Sequence, residues 1–416
     1  MKILHTADWH LGAKLGTYDR LEEQTEVLAE IVRIADQEQV DLVLIAGDLF
    51  DTFNPGSAAE DLLYRTLVSL TNRGQRAVIA IAGNHDSPEK VVTTVHMARS
   101  LGILLVGAPN VVPDQINVPG HVTTAKVSQG FVELDFQGLN HPVRILTTPY
   151  ANDKRMMTFL GREEDENQTT IEDLLRSHWA GLAADHCDQH GVNLLVAHQF
   201  MTRRGGHQYA EPEGERKVLH VGGTLGLHTD IIPEGIQYVA LGHLHNKIEV
   251  QTSPMPVVYS SSPLAYSFSE AGQTKFVSIV EVEPGTPADV RFVPLSAGKR
   301  LMRQTFLSAA EAVEWLTANQ DCLVEVSIKT KESLTAAEVS LIKRAHPGII
   351  GQPIPIAEDE VDGSDNHLRL NRILAESGLD IGALFRDYYK SVNQQEPNPE
   401  LLALFDELVA QDEDQA

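Results

Sequence analysis

The strongest constraint on this chain is a set of short apolar runs that stop abruptly at polar, loop-forming residues. Residues 41–46 (DLVLIA) run straight into Gly47-Asp48-Leu49-Phe50-Asp51, and residues 77–82 (AVIAIA) into Gly83-Asn84-His85-Asp86. An unbroken apolar run of this length reads as a strand buried on both faces. Between such runs the apolar spacing becomes helical. Leu21, Val27, Leu28, Ile31 and Ile34 share one face of a predicted helix at 19–39, and further helices are predicted at 57–71 and 88–101. Pro88 suits a first helical turn, where its missing N–H has no partner to lose. With strands at 2–6, 143–147, 193–197, 238–241, 257–260 and 276–282, the alternation predicts an α/β domain with a covered sheet.

The length of 416 residues implies two to three domains, with ample material for a core. Boundaries are expected near 288 and 356. Residues 301–352 read strand, helix, strand, helix, a small α+β module. The remainder opens on Pro353 and Pro355, passes through Glu358-Asp359-Glu360, and holds two amphipathic helices at 381–392 and 399–410. Residues 353–416 carry 4 basic and 15 acidic residues, a large share of the overall net charge of −25. That charge is the opposite of a stand-alone nucleic-acid binder's, but it leaves nucleic acid open as a substrate if cations or a partner supply positive charge. Cys187 and Cys322 form no CxxC, which argues against a disulfide framework or a thiolate zinc site. The start, MKILHTADWH, lacks the apolar stretch of a signal peptide, and no run approaches about 18 apolar residues. A cytoplasmic protein is expected.

Chemistry in open α/β sheets collects where strands end. Five such endings carry metal-ligand residue types: Asp8 and His10; Asp48 and Asp51; Asn84, His85 and Asp86; His198; His243 and His245. Each fragment alone is commonplace, but five in this context are expected to converge on one sheet edge. Carboxylate, carboxamide and imidazole suit Mn²⁺, Fe²⁺ or Zn²⁺. Two such cations ~3.5–4 Å apart can activate a water and hold both oxygens of an in-line displacement at phosphorus. A shared Asp screens their repulsion, a neutral Asn limits the negative charge, and an imidazole off the metals can assist the leaving oxygen. The residues alone therefore point to a dinuclear metallophosphoesterase.

In order, D-x-H, G-D-x-x-D, G-N-H-D, a lone H and G-H-x-H resemble the calcineurin-like metallophosphoesterase superfamily. HTADWHLG at 5–12, AGDLFD at 46–51, AGNHDS at 82–87, YVALGHLH at 238–245 and YSSSPLAYSFSEAGQTKFV at 259–277 are similar to its Mre-type DNA nuclease branch, the nuclease subunits of SbcCD-type complexes. The resemblance covers residues 1–290 closely and the rest more loosely. It implies a sandwich of mixed sheets flanked by helices as a nuclease domain (1–287), a capping domain that helps select DNA ends (288–356), and a linker with C-terminal helices and an acidic tail (357–416). One cation would be held by Asp8, His10, Asp48 and His245, and the second by Asp48, Asn84, His198 and His243, with Asp48 as the bridge. His85 would be the catalytic, non-ligand histidine. Asp51 stands where the archaeal pattern has histidine, and no chemical step is assigned to it.

The resemblance further implies two Mn²⁺ ions, 3′–5′ exonuclease action on double-stranded ends, and endonuclease action on hairpins and single strands. It implies a nucleoid-associated homodimer within a heterotetramer, with a coiled-coil ABC-type ATPase (SbcC-type) as partner. Leu384, Phe385, Tyr388, Leu401, Phe405 and Leu408 offer apolar surface for that ATPase; packing on their own chain is the duller reading. The alternative function is a general phosphoesterase acting on nucleotides or small esters. Arg203-Arg204 and Arg216-Lys217 either reach a DNA backbone or pair with Glu211, Glu213 and Glu215. His5 and Trp9 are expected to be structural.

Overall fold

A computed structural model describes residues 1–92, 98–150, 156, 170–207, 209–211, 226–330 and 334–356. The chain divides into two units, one of 1–328 with 335–354 and the other of 329–334 with 355–416. Almost all of the second, including the expected helices at 381–392 and 399–410 and the apolar residues proposed on them, lies outside the described residues.

Two sheets face each other in the first unit. The first has the strand order Asp289–Pro294, Phe276–Glu281, Lys2–Thr6, Leu42–Ala46, Ala77–Ile81 and Ile103–Val106. Its last four strands run parallel, while Phe276–Glu281 pairs antiparallel with Lys2–Thr6. The second sheet centres on the parallel strands Val143–Thr148, Val192–His198, Tyr238–Gly242 and Val257–Tyr259. It is extended by the antiparallel pair Val122–Ser128 and Phe131–Phe136.

Alternation along each strand divides the side chains between layers. Ile3, Leu42, Leu44, Ile79, Ile145, Leu194 and Ala240 fill the space between the sheets. Leu4, Val43, Ile45 and Val78 turn outward onto Leu28, Ile31, Leu63 and Leu67 of the helices Leu21–Glu38 and Ser57–Leu70. On the other side, Leu146, Leu195, Val239 and Tyr259 meet Leu175 and Trp179 of the helix Ile171–His186. Every central strand is thus buried on both faces, the physical reason for the unbroken apolar runs. Full burial of each Val, Leu or Ile contributes about 1.5–3 kcal/mol.

The small module pairs Arg300–Phe306 parallel with Cys322–Lys329 and carries the helices Ala309–Ala318 and Ala336–Ala345, capped by Ser308 and Thr335. Asp289–Pro294 lies beyond the expected boundary at 288 but pairs with Phe276–Glu281 as an edge of the first sheet, so the module's own elements begin at Arg300. Leu301, Leu323 and Ile350 pack with Leu15, Tyr18, Ala265 and Phe268. The Glu30 carboxylate accepts hydrogen bonds from the backbone of Ser296 and Ala297 at 2.9 and 2.8 Å, tying the connecting segment to the first helix. Among the described residues no helix is long and apolar enough to cross a membrane.

One ion pair gives this scaffold an acid-sensitive element. Arg144 donates to both oxygens of Asp188, at 2.6 and 3.1 Å. With help from the His190 backbone N–H, this holds the Asp188 carboxyl at about 2, below its ordinary 3.8. A depressed folded-state pKa means that the native chain binds fewer protons. The pair therefore stabilises above about pH 4, and that contribution is lost as pH falls toward 2. Asp188→Asn is expected to lose less stability than the wild type between about pH 5 and about pH 2.5 in urea titrations. Equal losses would remove the pair from the acid limb.

Candidate metal centre

The five strand endings do converge, and the backbone there is strained. Asp8, His10 and Asp48 have φ of 55°, 44° and 50°, and His243 has 108°, conformations that cost non-glycine residues of order 1–3 kcal/mol each. Cross-loop hydrogen bonds hold them: Asp8 N–H to Gly47 O and His10 N–H to Asp48 O, both 3.0 Å, and His243 N–H to Asp8 Oδ1 at 2.8 Å. Two glycines permit the approach. A Cβ on Gly83 would run into Asp48 Oδ1, and one on Gly242 into Ala46 O. Gly83 is thus required by crowding, at the start of the turn that follows residues 77–82. Asp86 closes that turn by accepting from the backbone N–H groups of Gly83, Leu49 and Phe50. Its burial and the nearby Asp48 charge raise its carboxyl to about 6, against the pull of those bonds.

All eight residues expected at the site lie together and buried: Asp8, His10, Asp48, Asn84, His85, His198, His243 and His245. Seven of them, all but His85, form two adjoining groups of ligand-type atoms. In one, His10 Nε2 faces His245 Nε2 at 3.0 Å, and Asp8 shares that cluster. In the other, Asn84 Oδ1 lies 2.7 Å from His198 Nε2 and 3.3 Å from His243 Nδ1. Asp48 Oδ2 sits between the groups, 3.3 Å from His198 Nε2 and 3.6 Å from His10 Nε2.

The donor set fits cations. Among the described residues Asp8 Oδ2 is buried yet finds no hydrogen-bond donor, an arrangement expensive for a carboxylate unless a positive charge meets it. Burial raises the Asp8 pKa, and the Asp48 charge adds to it. Although burial opposes its protonation, the Asp48 and Asp8 carboxylates push the His198 imidazole up to about 9. The cluster therefore draws positive charge, as a proton or as a metal ion.

Four of the five imidazoles are also anchored through a ring nitrogen. His198 Nδ1 donates to Ala46 O and His85 Nδ1 to Asp51 O, both at 2.8 Å. His243 Nε2 meets Glu211 Oε1 at 2.9 Å, and His245 Nδ1 meets Glu270 Oε1 at 3.3 Å. Anchoring of this kind fixes tautomer and ring orientation. The Asp51 carboxylate lies 3.6 Å from His10 Nδ1, and His10, Asp51 and His85 make a further group that could hold an ion.

The sequence gives no site role to Glu211, Glu270 or Lys275, and marks Asp86 only as one of the ligand-type residues at a strand end. It offers Glu211 only as a partner for nearby cations, and the structure sets that residue against His243. Arg204 instead pairs with Asp230 and Glu172, at 2.9 and 3.0 Å; Arg216 and Lys217 lie outside the described residues. A signal for the other three is present: Asp86 lies inside AGNHDS, and Glu270 and Lys275 inside the 259–277 stretch. His5 is structural, bonded to Tyr238 Oη and Leu241 O and lowered to about 3 by burial. Trp9 is fully buried and donates to Thr6 Oγ1.

The calcineurin-like phosphoesterase family model matches residues 1–247. The SbcD subunit of the nuclease SbcCD from Bacillus subtilis is 32% identical over 421 residues, spanning 99% of this chain and 98% of that protein. The SbcD subunit of the nuclease SbcCD from Rhodobacter capsulatus is 29% identical over 319 residues, spanning 76% of this chain and 75% of its own. With a two-sheet sandwich whose strand ends gather carboxylates and imidazoles around one buried spot, the chain belongs to the calcineurin-like phosphoesterase family, in the branch of the SbcD nuclease subunits.

Proposed function

We propose that the chain is a metal-dependent DNA phosphodiesterase, the nuclease subunit of an SbcCD-type complex. The observation that supports this most is the pair of ligand groups meeting at Asp48 Oδ2, in a chain similar to such subunits along nearly its whole length. Asp8, His10, Asp48 and His245 would hold one cation, and Asp48, Asn84, His198 and His243 the other. Asp48 would serve both cations, a reading supported by its Oδ2, which faces both groups while Oδ1 accepts the His85 N–H. Asp8 likewise commits Oδ1 to a backbone N–H, that of His243. Two bound cations, Mn²⁺ by family resemblance, supply charge that polarises the phosphodiester and activates water.

The chain's own residues do the remaining work. The His85 ring, oriented by the Asp51 carbonyl, donates a proton to the leaving oxygen or steadies charge on the phosphate. The strained loops keep the ligands fixed before substrate arrives. Residues 288–356 would cap the site and help select DNA ends. Residues 357–416 would dock on a coiled-coil SbcC-type ATPase, which supplies the affinity for DNA that a net charge of −25 denies this chain. Action as a homodimer within a heterotetramer, at the nucleoid in the cytoplasm, with 3′–5′ polarity on double strands and cuts in hairpins and single strands, follows from the same resemblance.

The test is cleavage of end-labelled duplex and hairpin DNA in Mn²⁺, Mg²⁺ and EDTA, beside p-nitrophenyl phosphodiester and monoester substrates. Mn²⁺-dependent shortening of DNA, abolished by EDTA, is expected. Turnover of the small esters with no action on DNA would replace this reading with a general phosphoesterase.

A further inference from the structure

Of the four anchored histidines, His245 has the most elaborate support. Its Nε2 faces His10, and its Nδ1 faces Glu270 Oε1. The second Glu270 oxygen is met by Lys275 Nζ, which also donates to the His245 backbone carbonyl at 2.8 Å. One lysine thus closes a loop that grips both the ring and the main chain of the same histidine. His245, Glu270 and Lys275 are 4%, 3% and 6% exposed, so solvent screens these contacts little. Glu270 Oε1 also accepts from the Tyr266 backbone N–H at 3.3 Å, which fixes the carboxylate. Although burial opposes its ionisation, His245 and Lys275 hold Glu270 at about 2.

A buried ion pair is a poor way to stabilise a fold, because stripping water from both charges offsets much of their attraction. An apolar pair of similar volume would serve packing at least as well. What the charged pair adds is a directed carboxylate behind an imidazole, which fixes the Nδ1–H tautomer and makes Nε2 a better donor. The other three histidines are supported differently. His198 and His85 lean on backbone carbonyls, and His243 on Glu211, a loop residue whose side chain is 13% exposed.

We propose that Glu270, itself held by Lys275, is the positioning residue for His245 and sets the affinity of the cation site that His245 shares with Asp8 and His10. This rests on the ligand assignment proposed above. The two stand or fall by different variants.

The test is calorimetric titration of the full-length, metal-free chain with Mn²⁺, read beside its thermal melting. The wild type should bind two ions, and His245→Ala should lose one. Glu270→Gln should weaken that same site about 10- to 100-fold and leave the other within about twofold of wild type, with Glu270→Asp recovering part of the loss. Because Glu270→Gln strands a buried lysine charge, Glu270→Gln/Lys275→Met is the companion variant. It should melt near the wild type yet show the same selective loss, which a merely structural pair would not produce. Wild-type affinity at both sites in the folded double variant would overturn the proposal. Two unchanged sites in His245→Ala would overturn the ligand assignment, and this inference with it.

Discussion

Asp48→Asn is expected to weaken both cation sites together and to reduce DNA cleavage by about 10³-fold or more. The expectation follows from one atom. Asp48 Oδ2 lies within 3.3 Å of His198 Nε2 and 3.6 Å of His10 Nε2, so its charge serves both groups. Two metals contribute several kcal/mol of transition-state stabilisation, and about 1.4 kcal/mol corresponds to a tenfold change in rate. The substitution keeps the architecture. An asparagine Oδ1 can still accept the His85 N–H that Asp48 Oδ1 accepts at 2.9 Å. Position 48 has a φ of 50°, and asparagine is among the residues that tolerate this left-handed conformation best. The far-ultraviolet circular dichroism of the variant should match the wild type, while Mn²⁺ titration shows both sites weakened. Loss of one site with the second at full affinity would show that Asp48 is not a bridge. Asp8, which clusters with His10 and His245 and also with Asp48 and His198, would then be the residue to substitute.

What is legible in the sequence is the part that repeats along the chain. The strands Leu42–Ala46 and Ala77–Ile81 can be read because strands buried on both faces have no polar positions to blur them, and each runs directly into its loop. The site inherits that clarity, since a ligand placed at a strand end is marked by the strand before it. The antiparallel pair Val122–Ser128 and Phe131–Phe136 escapes such a reading. Val122–Ser128 has one exposed flank and mixed burial, so its pattern resembles a loop. The helix Ile171–His186 is also missing from the sequence reading, although Thr170 and Asp173 form a capping box at its start. Partners distant in sequence are harder still. Glu270 lies 25 residues from His245 and Glu211 lies 32 from His243, and no periodicity links residues that meet only after the sheets have formed. The glycines show the same limit: the word G-N-H-D is visible, but the reason for Gly83 is Asp48, on another strand's loop.

His85→Ala is expected to retain both cations and to lose cleavage by about 10²- to 10⁴-fold, the usual contribution of a positioned acid or base. The separation of the two effects comes from which atoms of His85 do what. Its backbone N–H, which alanine keeps, holds Asp48 Oδ1. Its ring makes other contacts. Nδ1 donates to the Asp51 carbonyl at 2.8 Å, and the ring meets His10 edge-on with centroids 4.8 Å apart. Removing the imidazole therefore leaves the proposed ligands in place and takes away a proton donor beside them. Mn²⁺ stoichiometry measured with cleavage rates on one preparation distinguishes the possibilities. Two ions bound with cleavage lost fits a catalytic, non-ligand His85. Loss of an ion would instead make His85 a ligand, in the group it forms with His10 and Asp51. In that case the Asp51 carboxylate, 37% exposed and 3.6 Å from His10 Nδ1, would carry a charge that the metals need, and Asp51→Asn should reproduce the same loss of metal.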